Sequence, residues 1–331
     1  MKTVQKLACA ALAFMTGSHG AFALNEITVG YFLEWPMPYQ YAKAKGIYDE
    51  ELDVKVNWIA FETGVQMSAA MASGAVDLAL GQGVPPFVVA TSDGLDLQVV
   101  DIAATYAEND NCVVADGLGI DKTNAAELAG KKVALPLGTA AHYGFLRQME
   151  HFGVDVGTME IADMQPAQAA AALAQGRVDM FCGWGNPLLL AQEHGHVLLT
   201  GAEKEEVGIL VFDVTSGPAE WIAENFDLVA GFVKVTADAN AMWADEANRE
   251  KMLPIIAEDS GMDVAVAAEA ITHFTFPAVE DQLSSKWLGG GAQDFMKGVA
   301  GVFAAAGSIN AARDSYDSAV NKAPLAAASE M

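Results

Sequence analysis

Short β-rich runs alternate with longer helical ones along most of this chain, and that alternation restricts the fold more than any single motif. Ile27-Thr28-Val29-Gly30-Tyr31 reads as a strand, residues 37–48 as a helix ending near Gly46, and Val54-Lys55-Val56-Asn57-Trp58 as a second strand. Gly64 to Ser73 is a small-residue helix stopped by Gly74. Residues 76–80 form a third strand before an expected turn at Gly81-Gln82-Gly83, a helix begins over 86–92, and a strand over 97–100. Strand, helix and strand in regular succession predict a parallel sheet with helices on both faces.

The pattern restarts near residue 111. Strands are expected at 111–114, 132–135, 159–161, 178–182 and 209–213, the last closing this second half. Helices are expected after Gly138-Thr139, over 165–176 and over 186–194, and from Trp221 onward the chain reads as almost wholly helical: 218–245, 247–260, 263–272 and 279–306. An internal echo supports two similar lobes. MASGAVDLALGQG (71–83) matches LAQGRVDMFCGWG (173–185), both reading as helix, Gly, Val-Asp strand and Gly-rich turn. Common αβ-loop grammar would produce the same match. Either way, the turns stand at carboxyl ends of strands, where open α/β sheets bind ligands.

The first 23 residues read as a secretory leader. Lys2 and Lys6 precede an apolar run from Leu7 to Met15, and Ala21-Phe22-Ala23 offers a small-x-small cleavage site. The run is too short for a permanent membrane span. The mature chain is expected to begin at Leu24 and to act in the periplasm. The chain of 331 residues is long enough for two domains. Its formal charge of −25 argues against nucleic acid, which needs a basic face. Cys112 and Cys182 remain after the leader. In an exported protein they read either as a disulfide or as two buried thiols.

Signals for catalysis are weak. GxSxG and a phosphate loop are absent, as are CxxC, HExxH and any His/Cys cluster at metal spacing. No catalytic residue, cofactor or metal is expected. The arginines are Arg147, Arg177, Arg249 and Arg313, none at an expected strand-end turn. A bound anion would therefore rely on helix N-termini and neutral donors. Two segments qualify: Gly81-Gln82-Gly83-Val84-Pro85, and Pro136 to His142 with Thr139 as N-cap. Each is equally an ordinary helix cap. For a cation, Asp213 ends an apolar strand where a buried carboxylate is costly, although Ser216-Gly217-Pro218 behind it also fits a turn cap. Glu34-Trp35 follows the first strand in the same way, and Trp184 follows the 178–182 strand. Aromatic faces beside carboxylates suit an ammonium group. Core packing is the plainer role for each Trp.

These segments resemble the periplasmic taurine-binding proteins of ABC importers, within the wider group of aliphatic-sulfonate and nitrate-type binding proteins. The resemblance runs over about residues 26–318. It rests on the order and spacing of TVGYFLEWP (28–36), MASGAVDLALG (71–81), GKKVALPLGTAAHYGFLRQMEHFGV (130–154), VDMFCGWGNPLLL (178–190) and FDV (212–214). It implies a two-lobed α/β fold of the type II periplasmic binding protein class, each lobe a mainly parallel sheet flanked by helices. Lobe I would comprise 24–106 plus 216–331 and lobe II 107–215, with crossings near 104–110 and 213–217. It further implies a sulfonate met by donors near Gln82, Gly83, Thr139, Ala140 and His142, and an ammonium met by Asp213 and Glu34 with Trp35 and Trp184 closing on the carbon chain. The expected partners are a taurine-like zwitterion and a membrane permease, with the protein a monomer. Gly-Gln-Gly at 81–83 and Thr-Ala-Ala-His at 139–142 carry fewer hydroxyls than relatives do. Alternatives are another small amine or organic anion, such as a quaternary amine or a phosphonate, then a thiamin-pyrimidine-synthase-like enzyme, then a receptor sensor domain.

Overall fold

The computed structural model describes residues 24–33 and 35–331; residues 1–23, expected as a leader, and Glu34 lie outside the described residues. Eleven strands are described: β1 (Glu26–Phe32), β2 (Lys55–Phe61), β3 (Leu78–Gly83), β4 (Leu97–Tyr106), β5 (Asp110–Ala115), β6 (Lys132–Leu135), β7 (Glu160–Asp163), β8 (Met180–Trp184), β9 (Gly195–Val197), β10 (Phe212–Pro218) and β11 (Phe274–Thr275). They form two sheets, β11-β4-β10-β3-β1-β2 and β7-β6-β8-β5-β9. The expected α/β class and two-sheet organisation hold.

The sheets are mixed. In the first, β1 pairs parallel with β2 and β3, while β10 runs antiparallel between β3 and β4. In the second, β6 pairs parallel with β7 and β8, while β5 runs antiparallel between β8 and β9. In each sheet the strand that has just arrived from the other sheet, β10 or β5, runs reversed; the short β11 at the edge of the first sheet is also antiparallel to β4. This corrects one sequence expectation. Residues 209–213 read as the last strand of the second half, yet β10 belongs to the first sheet, so the return passage lies before Phe212 rather than at 213–217. An apolar run signals a strand but does not say which strands it will pair with.

Local chemistry sets the helix starts that face the interlobe space. The helix Gly64–Ala72 begins with a capping box, Thr63 and Gln66 each satisfying the other's backbone N–H. The helix Ala140–Phe152 begins at Thr139, whose Oγ1 accepts from the His142 N–H, and ends at Gly153 with φ +68°. The expected turn at Gly81-Gln82-Gly83 is instead the end of β3, buried on both faces. Within the 279–306 stretch, Gly289-Gly290-Gly291 is expected as a loop before the last long helix, and the structure has the helices Val279–Leu283 and Gly291–Ala305 on either side of that segment. β9 and the short β11 were not legible as strands.

One apolar cluster runs continuously from the first sheet into the second, and a smaller one, rich in Ala169, Ala170 and Ala172, covers the second sheet's outer face. Behind the cleft the lobes touch through Gly291–Ala305. Phe303 stacks on His142 at 5.2 Å, and Phe295 meets Tyr143 edge-on at 5.7 Å. Cys112 and Cys182 face each other across β5 and β8 and are disulfide-bonded. Among the described residues no helix is long and apolar enough to cross a membrane.

Candidate functional site

A narrow cleft between the sheets is lined by Phe32, Trp35, Gly64, Gly83, Pro86, Tyr106 and Asp213 from the first lobe, and by Asp110, Thr139, Ala140 and Trp184 from the second. Six of the nine residues expected at the site, Trp35, Gly83, Thr139, Ala140, Trp184 and Asp213, therefore meet in one place. Glu34 lies outside the described residues. Gln82 and His142 stand behind the lining.

Asp213 is the chemical centre. It sits near the start of β10, opposite Gly83, and is 1% exposed. Its Oδ1 accepts from the Tyr106 hydroxyl at 2.8 Å and its Oδ2 from the Trp35 indole N–H at 3.1 Å. Burial pushes its carboxyl up to about 8; the two hydrogen bonds oppose that rise and the Asp110 charge adds to it. The donors favour the ionised form, while the dry site resists it. Gly83 lies beside that carboxylate; a Cβ there would stand 3.6 Å from Asp213 Oδ1, at ordinary contact distance.

Aromatic rings surround this group. Trp35 packs edge-on against Tyr106 at 5.0 Å and against Phe274 at 4.7 Å. Trp184 ends β8 on the opposite wall, half-buried. A cation seated between them gains from the ring quadrupoles as well as from the carboxylate.

Two helix N-termini supply neutral donors for an anion, but not the pair that sequence reasoning selects. Thr139-Ala140 is one of them. The helix Val84–Ser92 is the weaker candidate, because Pro85 and Pro86 remove two of its leading N–H groups. Its place is taken by the helix Gly64–Ala72, whose first residue lines the cleft. Gly64 is needed there, since a Cβ would lie 2.6 Å from Pro86 Cγ. The capping-box pattern Thr63-x-x-Gln66 was the available signal.

Gln82 is fully buried, and its amide is committed. It donates to the Gly64 carbonyl and to Ser68 Oγ, each at 2.7 Å, and accepts from Ser216 Oγ at 2.8 Å. It fixes β3, β10 and the Gly64 helix to one another rather than facing a ligand. His142 accepts the Gly138 N–H on Nδ1 at 3.1 Å, and burial lowers its pKa to about 4. It is neutral near pH 7 and pins the turn before Thr139. Asp110 and Tyr106, which sequence reasoning missed, both line the cleft. Burial pushes Asp110 up to about 7, opposed by the charge of Lys204. Among the described residues no group of three or more His, Cys, Asp or Glu side chains could hold a metal ion.

A taurine-binding periplasmic protein of Escherichia coli K12 is 28% identical over 231 residues, covering 70% of this chain and 69% of that protein. The periplasmic aliphatic sulphonate binding protein SsuA from Escherichia coli shares the fold, with a TM-score of 0.70 at 21% identity over 88% of this chain and 90% of that one. The alkanesulfonate-binding protein SsuA from Xanthomonas axonopodis pv. citri, bound to MOPS, gives 0.68 at 21% identity over 85% and 93%. These relatives are named as binding proteins, not enzymes. The family model described as NMT1/THI5 like matches residues 36–248, well over half of the sequence, and the chain belongs to that family.

Proposed function

We propose that this protein is an exported solute-binding protein that captures taurine or a closely related small aminosulfonate between its lobes and delivers it to the permease of an ABC importer. The leader, cleaved after Ala23, would place it in the periplasm. The observation that carries the reading is Asp213: a carboxylate 1% exposed, held by Tyr106 and Trp35, ringed by aromatic side chains and facing a helix N-terminus across the cleft. The carboxylate suits the ammonium end of a zwitterion. The N–H groups at Ala140 and Gly64 suit the sulfonate without adding a full charge. The 28% identical taurine-binding relative supports the same substrate class. Gly83, Thr139 and Trp184 then shape the middle of the site.

Calorimetry with taurine and with isethionate, which replaces the ammonium by a hydroxyl, tests the assignment. Taurine should bind the wild-type protein far more tightly, and Asp213→Asn should remove most of that preference, the four measurements forming a double-mutant cycle. Equal affinity of the wild type for both ligands would refute the reading. The ring of aromatic side chains gives a second reading, a quaternary amine. Stabilisation by glycine betaine and not by taurine in a thermal-shift assay would favour it.

A further inference from the structure

Asp213 has a counterpart in the other lobe. β5 enters the second sheet as β10 enters the first, antiparallel and beside the strand that ends at the cleft. Asp110 heads β5 opposite Trp184, the last residue of β8, just as Asp213 lies opposite Gly83, the last residue of β3. Asp110 lines the cleft and is 2% exposed, and its Oδ2 has no hydrogen-bond partner. The ammonium of Lys204 does not supply one: it donates to the main-chain carbonyls of Ala107 and Asp110. A buried carboxylate oxygen left unpaired is costly. Within a ligand cleft, that cost is relieved when a donor enters.

We propose that Asp110 is the second carboxylate of the ammonium subsite, its Oδ2 accepting one N–H of a primary ammonium that also pairs with Asp213. This rests on reading the cleft as a site for an amine-bearing ligand, and it narrows that class to primary amines. Three N–H donors allow one cation to bond acids on both lobes at once. A trimethylammonium group has no N–H and leaves Asp110 Oδ2 unpaired. The ligand's charged end thereby ties the lobes together, and recognition and closure become one event.

Calorimetry on the chain without its leader tests this, with taurine, isethionate and ethanolamine as probes. Asp110→Asn keeps the shape and removes the charge. Taurine should bind it about 30-fold or more weaker than the wild type, the range for truncating one side of a buried charged pair, while isethionate changes less than about threefold on the same comparison. Taurine binding to Asp110→Asn within about threefold of wild type overturns the proposal. If Asp110→Asn fails to fold, by thermal unfolding, Asp110→Ser is read against the same limits. If the wild type ignores taurine but binds ethanolamine, and Asp110→Asn loses it, the aminosulfonate reading falls and this one stands. A wild type that binds neither amine overturns both.

Discussion

The two crossover strands are built alike and fastened differently. β10 is locked into the first sheet by polar side chains: Ser216 Oγ donates to Gln82 Oε1 at 2.8 Å, and the Thr215 N–H donates to Asp101 Oδ1 at 3.0 Å. β5 is locked into the second by the Cys112–Cys182 disulfide, which joins it to β8. Their leading carboxylates differ in the same sense. Asp213 already holds two donors, whereas Asp110 keeps an oxygen unpaired. On the proposed reading, the first lobe presents a finished half-site and the second lobe one with an oxygen still to be paired. On that same reading the cation anchor stands in place before the ligand arrives, and the remaining bond comes from the second lobe.

The largest expected effect breaks the finished half. Asp213→Asn should cost about 2–5 kcal/mol of taurine binding, roughly 30- to several-thousand-fold in Kd, because it strands a buried ammonium. Calorimetry reads it directly. A loss below about threefold would reduce Asp213 to a structural member of β10.

Next in size is the covalent fastening. The disulfide closes a loop with a sequence separation of 70 residues. Replacing both Cys112 and Cys182 by Ala should lower unfolding stability by about 2–4 kcal/mol, read by denaturant titration. The same change should leave taurine affinity nearly intact if the disulfide only holds β5 in its sheet. A large loss of affinity would mean that the bond also positions Asp110.

Acidity separates the halves further. With Asp213 raised to about 8 and Asp110 to about 7, the unliganded cleft retains protons near neutrality that an ordinary carboxylate would have lost. The groups facing this pair are Tyr106, itself raised by burial and by both acids, and Lys204. Folded pKa values above the unfolded ones stabilise the fold fully below about pH 4, and that contribution is lost as pH rises through about 7–8. Unliganded stability should therefore fall from pH 5 to pH 8. Binding an ammonium needs the acids ionised, so taurine affinity should move the opposite way, rising by up to about tenfold per pH unit for each proton released. His142, lowered to about 4, stays neutral across that window and should not contribute. Affinity that stays flat from pH 5.5 to 8 would show that the acids are already ionised in the empty cleft.

Much of this was legible in the chain, and the gaps share a physical origin. Strand–helix alternation located most of the elements, and Asp213, Thr139 and the two tryptophans were identifiable as polar or aromatic residues at strand ends. Pairing was not legible. Residues 209–213 read as a strand, but the strand is Phe212–Pro218, taking in the Ser216-Gly217-Pro218 that read as a turn cap, and it pairs with β3 and β4 through contacts more than a hundred residues away. Gly81-Gln82-Gly83 suggested a turn because glycine usually marks one. Here the three residues end β3, with Gly83 paired opposite Asp213, and Gln82 is an internal cross-brace. Asp110 falls in the expected crossing at 104–110, one residue before the strand expected from Asn111, and its place at the cleft depends on β5 lying beside β8. Pro85-Pro86 could have been weighed against an anion site, since proline lacks the N–H that such a site requires.

The smallest expected effect concerns the anion end on the second lobe. Thr139 caps the helix Ala140–Phe152 through its Oγ1, which accepts the His142 N–H at 3.4 Å and donates to the Pro136 carbonyl at 2.7 Å. Both capacities of the hydroxyl are used internally, so its contribution to a sulfonate would be made through helix geometry. Thr139→Ala should cost about 1 kcal/mol of stability, the usual value of an N-cap, and weaken taurine by only a few-fold through a looser first turn. Thr139→Ser restores the hydroxyl and should restore both. If Thr139→Ala instead lowers affinity by more than about thirtyfold with stability unchanged, the hydroxyl is a direct ligand donor worth a charge-assisted bond. The second lobe would then be as finished before binding as the first.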